Sequence, residues 1–255
     1  MPSGSITEYI DVAQVVLYVF WVFFFGLVYY LRREDRREGY PCESDLGGRV
    51  EPLGFTLIPR AKAFLLPHGR GEVKAPNFVR DQREIKAVKT ANFPGAPLRP
   101  TGDPMVDAVG PASYAQRQDV PELTREGHAM IVPMRVAAGF SIDRQDTDPR
   151  GLEVVGADGK VAGKVKDVWV DRADVMVRYL EVELNAGAGV RLLPITMLRL
   201  KKQRVEVASI LADQFAKVPV LANPDQVTAL EEDKVCAFYS GGRLYAEAKR
   251  LGPVL

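Results

Sequence analysis

The strongest constraint on this chain is a run of twenty residues near its N-terminus without a charged side chain. The run extends from Val12 to Leu31 and reads VAQVVLYVFWVFFFGLVYYL. As an α-helix it would rise about 30 Å, which matches the hydrocarbon core of a bilayer. Tyr29 and Tyr30 lie at its end, where aromatic rings favour the membrane interface. The sequence therefore predicts one transmembrane helix over 12–31, preceded by a short tail over 1–11.

Basic residues are found on only one side of the predicted span. Arg32, Arg33, Arg36 and Arg37 follow it directly, whereas no Lys or Arg precedes it. Because basic flanks remain in the cytoplasm, we expect a periplasmic N-terminus and a cytoplasmic bulk. Three acidic residues alternate with these arginines, which favours ion pairs within or between subunits, with lipid headgroups as further partners. The alternative is that the arginines act only as a stop-transfer signal.

Composition limits the chemistry that the chain can perform. With 34 Lys and Arg against 33 Asp and Glu, the net charge of +1 argues against nucleic-acid binding through a basic surface. Cys42 and Cys236 lack a zinc-type spacing, and His68 and His128 are too few for most histidine-built metal centres. The sequence has no nucleotide-binding or hydrolase motif, so we expect no independent enzymatic activity and a chemistry based mainly on carboxylates.

The segment 32–118 differs in pattern from the rest of the chain. From residue 39 it is dense in Gly and Pro and shows little periodicity, which predicts extended, irregular chain with few short strands. Apolar side chains such as Phe55, Phe64 and Phe93 argue against disorder. So long an irregular stretch is unusual in a self-sufficient domain, so we expect it to pack against another protein.

Short strands and tight turns characterise the remaining residues, 119–255. Strands are expected over 152–155, 163–171, 175–184, 190–195, 198–200 and 204–208, with a hairpin turn at 157–159. This pattern predicts a small closed or nearly closed antiparallel barrel in a mainly-β cytoplasmic domain. Two helices should follow, one capped by Ser209 and one near 228–239 that the glycines at 241–242 end.

Six segments, in their order and spacing, carry a resemblance that covers essentially the whole chain. They read YYLRREDRREGYP at 29–41, LPHGRG at 66–71, TGDPMVDAVGPASY at 101–114, PELTREGH at 121–128, GKVKDVWVD at 163–171 and LEEDKVCAFYSGG at 230–242. Together they resemble the H subunit of the purple-bacterial photosynthetic reaction centre. The region of predicted strands correspondingly resembles the PRC-barrel fold.

The resemblance implies a single-span subunit of the bacterial inner, intracytoplasmic photosynthetic membrane. Its cytoplasmic body would cap the L and M subunits, which in that family hold bacteriochlorophyll, bacteriopheophytin, quinones and non-haem iron, whereas the H subunit binds none of them. Its implied roles are to stabilise the complex, shield the quinone sites from water and help conduct protons to the secondary quinone. The sequence leaves open whether a cytochrome subunit or a light-harvesting ring joins the complex.

The alternative function belongs to a different class. The chain could be a membrane-anchored PRC-barrel assembly or adaptor protein, in which the acidic side chains are merely solvated surface and carry no protons. The irregular segment 32–118 favours the first function, because an adaptor should have a compact, self-contained domain.

A proton route to a buried quinone needs titratable groups that burial or neighbouring charges hold near neutrality. The sequence and the resemblance suggest three places, which contain Glu122, Glu126 and His128; Asp171, Asp174 and Arg178; and Glu231. Relatives have a second histidine at the position of Glu126 and a glutamate at that of Asp174. A metal-binding histidine pair is therefore not implied here. At each place the alternative is an ordinary solvated acid or a structural histidine.

Overall fold

The computed structural model describes residues 11–42, 56–79, 81–93 and 95–251 of the chain. The predicted tail over 1–11 lies outside these residues except for its last position. The chain divides into two compact units. The first comprises residues 1–82 and 91–96, and the second comprises residues 83–90 and 97–255.

The first unit begins with the helix α1, Val12–Glu34. Its N-terminus is capped by Asp11, whose side chain accepts a hydrogen bond of 2.7 Å from the backbone N–H of Gln14. A short 3₁₀ turn over Asp35–Arg37 follows the helix. Within the described residues, this is the one helix that is long and apolar enough to cross a membrane. A single span is therefore supported by length and composition.

The first unit also contains a hairpin. Its strands β1, Lys62–Leu65, and β2, Glu72–Ala75, pair antiparallel. The strand residues are exposed or half-buried, and Leu65 is 82% exposed. Phe64, Leu65 and Val73 are therefore exposed apolar side chains among the described residues of this hairpin.

The second unit is built on one seven-stranded sheet. A separate pair, β3 at Ala87–Lys89 and β4 at Leu98–Pro100, precedes it. The strands of the sheet are β5 Ile131–Pro133, β6 Glu153–Val155, β7 Val161–Asp171, β8 Met176–Leu184, β9 Val190–Pro194, β10 Arg199–Leu200 and β11 Arg204–Glu206. Their order is β10-β11-β6-β7-β8-β9, with β5 paired to β7. The two long strands β7 and β8 therefore form the centre of the unit.

Close packing of β7 on β8 depends on a glycine. A Cβ atom at Gly163 would lie 2.2 Å from the carbonyl oxygen of Glu183, so any other residue would push the strands apart. The core beside these strands contains Trp169, Leu180 and Tyr239, each at most 1% exposed. Burial of such large apolar side chains is the main favourable contribution to folding.

The predicted fold class, one apolar helix followed by a mainly-β domain with short helices, is confirmed. Several details differ from the expectation. The sheet is curled but open, whereas a closed or nearly closed barrel was expected, and β6 pairs with β11 in parallel, whereas antiparallel pairing was expected. Ser209 caps no helix: its hydroxyl oxygen is buried without a hydrogen-bond partner in the described structure, and a 3₁₀ helix begins at Asp213.

The second predicted helix extends further than expected. Helix α2 spans Ala229–Tyr245 and passes through Gly241 and Gly242 instead of stopping there. A Cβ at Gly241 would lie 2.5 Å from the Cβ of Ala112, and one at Gly242 would lie 2.3 Å from Ile210. The two glycines therefore permit close packing of the helix and do not end it.

Candidate functional site

Three of the predicted site residues lie on one tight turn. The backbone N–H of Thr124 bonds to the carbonyl oxygen of His128 at 2.8 Å, and Gly127 closes the turn at a φ of 86°. Glu126 and His128 are exposed at its tip, whereas Glu122 is half-buried at its base. The turn therefore presents Glu126 and His128 to the surface, and Glu122 is partly covered at its base.

Glu122 belongs to a small charged cluster. Arg117 donates a hydrogen bond of 2.5 Å to Glu122, and its guanidinium lies 3.7 Å from the carboxylate of Asp233 on α2. We call Arg117, Glu122 and Asp233 the outer cluster. Its side chains remain partly accessible to solvent.

Asp171, Asp174 and Arg178 form a second cluster, which we call the inner cluster, at the turn between β7 and β8. The side chain of Asp171 is 0% exposed. It accepts bonds from Arg178 at 3.0 and 3.1 Å and from the backbone N–H groups of Ala173 and Asp174. The hydrogen bond with Asp171 raises the pKa of Arg178. Asp174 is exposed and lies 3.3 Å from the same guanidinium.

The backbone links the turn that carries Glu122 to the inner cluster. The backbone N–H of Met130 donates a hydrogen bond of 2.8 Å to the carbonyl oxygen of Glu122. The backbone N–H of Arg172 donates one of 2.9 Å to the carbonyl oxygen of Met130. Ile131 of β5 pairs with Asp171 of β7. Residues some fifty positions apart in sequence therefore meet at one end of the sheet.

The predicted residue Glu231 makes a different set of contacts. Its carboxylate accepts bonds from the backbone N–H groups of Thr228 at 2.9 Å and Ala222 at 2.7 Å. Thr228 in turn caps the N–H of Glu231, which completes a capping box at the start of α2. The described contacts of Glu231 are thus those of a helix cap.

The neighbouring Glu232 is not one of the predicted site residues, but its carboxyl group is influenced by residues of both clusters. Its Oε2 accepts a hydrogen bond of 2.8 Å from the hydroxyl of Tyr179 on β8. Burial raises the pKa of Glu232; Glu122 adds to this rise, whereas the Tyr179 hydrogen bond, Arg117 and Arg178 oppose it. Helical spacing could have identified it, because Glu232 shares a face of α2 with the buried Val235 and Tyr239.

The four arginines after the span have different environments. Arg37 is 15% exposed and bonds to both oxygens of Glu34 at 2.8 Å and to the carbonyl oxygens of Arg60 and Ala75 at 2.9 Å. Arg36 bonds to the carbonyl oxygen of Thr56 and stacks over the ring of Tyr40.

Arg32 and Arg33 are left closer to the solvent. Arg32 is exposed and lies 3.9 Å from Asp35, and Arg33 is half-buried. Internal pairing, which the alternating charges favour, thus describes Arg37 and, in a more exposed pair with Asp35, Arg32. Within the described residues, no group of three or more His, Cys, Asp or Glu side chains could hold a metal ion.

Comparison with known families agrees with this architecture. The family model for the N-terminal region of the photosynthetic reaction centre H-chain matches residues 4–136, slightly more than half of the 255 residues. This range includes α1, the hairpin and Glu122. The family model for the PRC-barrel domain matches residues 143–214, which contain the inner cluster and the strands β6 to β11. The chain therefore belongs to the H-chain family of the photosynthetic reaction centre.

Proposed function

We propose that this chain caps the L and M subunits of a photosynthetic reaction centre from the cytoplasmic side and helps to deliver protons to the secondary quinone. In this proposal the chain is single-pass, with its N-terminus in the periplasm. The bacteriochlorophyll, bacteriopheophytin, quinones and non-haem iron belong to the partner subunits. The observation that carries the proton-delivery role is the convergence of the outer and inner clusters at one end of the sheet.

Exposed apolar side chains support the capping role. Leu65, Phe78, Val79 and Ile85 are between 63% and 82% exposed. Exposed apolar surface of this kind marks places where another protein or a membrane makes contact. The family of the chain provides the reason to expect a reaction-centre complex as the partner.

The arrangement of acids supports proton delivery. Half-buried Glu122 is accessible from solvent, whereas Asp171 is fully buried and its neighbour Asp174 is exposed. Proton transfer requires groups within hydrogen-bond reach of each other or of a bridging water. The change from half-buried Glu122 to fully buried Asp171 at one end of the sheet supports a route for protons from solvent into the protein.

Co-purification tests the capping role. When the full chain is tagged and extracted from its native membrane in mild detergent, we expect pigments, quinone and two partner subunits to remain bound. An unrelated tagged single-span protein, extracted in the same way, controls for nonspecific pigment. A colourless monomer would instead support the membrane-anchored adaptor.

Time-resolved proton uptake tests Asp174 as a carrier. In the whole complex, Asp174→Asn should slow proton uptake after the second flash by about 10²-fold, the lower end of the 10²–10⁴-fold that positioned acids and bases contribute to proton-transfer steps. Asn keeps the size of the side chain but cannot bind the proton. Asp146→Asn, at another exposed acid, should leave the rate unchanged. An unaltered rate in Asp174→Asn would exclude this residue as a carrier.

A further inference from the structure

Glu232 is within electrostatic reach of both clusters without belonging to either. Tyr179, which bonds to it, directly follows Arg178 of the inner cluster on β8. Asp233 of the outer cluster directly follows Glu232 on α2. The charges of Glu122, Arg117 and Arg178 all act on its carboxyl group. Glu232 is thus electrostatically coupled to both clusters.

The hydroxyl of Tyr179 has a second neighbour in the same place. Its oxygen lies 3.7 Å from the sulfur of Cys236, one helical turn along α2 from Glu232. Burial raises the pKa values of both Tyr179 and Cys236, so both groups remain protonated near neutral pH. The hydroxyl can donate to Glu232 when that carboxyl is ionised, and it can turn towards the sulfur when the carboxyl carries a proton.

We propose that Glu232 is a proton-binding site that couples the outer cluster to the inner cluster. Its carboxylate accepts a proton from the side of Glu122 and returns it as a carboxylic acid to a carboxylate or water on the side of Arg178. The bond to Tyr179 orients the receiving oxygen. The direction of this transfer rests on the proposed function, but the existence of the site and its coupling do not.

The charges around Glu232 predict the direction in which each substitution shifts its titration. Tyr179 donates to the ionised carboxylate and Arg117 stabilises it, so Tyr179→Phe and Arg117→Gln should move the titration of Glu232 to higher pH. Glu122 disfavours a second negative charge, so Glu122→Gln should move it to lower pH. A carboxyl group that is not coupled to these neighbours would show no such shifts of opposite sign.

Infrared spectroscopy of the intact complex, kept in the dark and titrated with pH, measures this directly. We expect Glu232→Gln to remove one carbonyl-stretch band of a protonated carboxylic acid, and Glu231→Gln to retain it. The midpoint of its titration should move to higher pH in Tyr179→Phe and Arg117→Gln and to lower pH in Glu122→Gln. Persistence of the band in Glu232→Gln, or shifts of the same sign in all three, would overturn the proposal.

Stability provides a second readout that does not depend on the band. Because the pKa of Glu232 is raised in the folded state, the native protein binds this proton more tightly than the unfolded chain. Between the ordinary value of a glutamate and the raised pKa, stability therefore falls as pH rises. Glu232→Gln should remove this component, so its stability relative to the parent should increase with pH. A difference that is constant with pH would contradict the proposal.

These measurements remain informative if the proposed function fails. The dark titration needs neither a quinone nor a flash, and the full-length chain in detergent can be used if no pigment is bound. Failure of the proposed function would appear as a colourless monomer. Failure of the present inference would appear as a missing carboxyl titration.

Discussion

Replacing Arg135 with alanine should destabilise the second unit by about 1–3 kcal/mol, because two buried carboxylates would lose a hydrogen-bond partner whose own side chain is 36% exposed. Its guanidinium lies 2.7 Å from Glu181 and 3.1 Å from Asp167. These two carboxylates are register partners on β7 and β8, and their side chains are only 4% and 9% exposed. Without the arginine, two buried negative charges would face each other across the strand pair.

Other groups near this site can replace only part of what Arg135 provides. The nitrogen of Lys166 is 3.7 Å from Glu181, and the indole N–H of Trp169 donates to the same carboxylate at 2.8 Å. Arg135 also bonds to Asp225 and to the carbonyl oxygen of Pro224, which lie just before α2. The substitution should therefore loosen the loop before α2 as well as the sheet.

Denaturant unfolding of the full chain in detergent would measure this loss. Arg150→Ala is a matched control, because Arg150 and its partner Asp148 are both more than 40% exposed and such surface pairs contribute about 0–1 kcal/mol. Arg135→Lys keeps the charge without the planar fork and should lose less than the alanine variant. A loss below about 1 kcal/mol in Arg135→Ala would show that the two carboxylates are not held by this arginine.

Periodic, local features of this structure could be predicted from sequence, because one stretch of chain determines them. The apolar run that forms α1 and the alternation that forms β7 are examples. The parallel pairing of β6 with β11 could not be predicted, since it joins strands that are separated by about fifty residues. The role of Arg135 was missed for the same reason: its acidic partners lie on other strands.

The acidic run on α2 contains two neighbouring glutamates with different contacts. Glu231, the predicted candidate, has the spacing from Thr228 of a capping box, and the structure has one there. Glu232 is placed by tertiary packing against Tyr179, a residue more than fifty positions away. Even so, combining the capping rule with the helical face would have favoured Glu232 for the site.

Asp171→Ala should reduce stability by about 3 kcal/mol, because the buried carboxylate holds both an arginine and a turn. The variant loses two bonds to Arg178 and the bonds to the backbone N–H groups of Ala173 and Asp174. That turn also contains Val175 at a φ of 51°, a strained conformation for a β-branched residue that needs support from surrounding contacts.

The comparison with Asp174 separates this structural role from proton transfer. Asp174→Ala should cost less than about 1 kcal/mol, because its contact with Arg178 is exposed and such pairs contribute little. The loss of stability in Asp171→Asn should lie between those of Asp171→Ala and Asp174→Ala. The amide oxygen of asparagine can still accept hydrogen bonds from the backbone of the turn, whereas the ionic bond to Arg178 is lost. Unfolding curves that rank the losses Asp171→Ala, Asp171→Asn and Asp174→Ala in decreasing order would support this division. If Asp174→Ala were as costly as Asp171→Ala, a slower proton uptake in Asp174→Asn could reflect a disturbed turn, and the assignment of Asp174 as a carrier would lose its support.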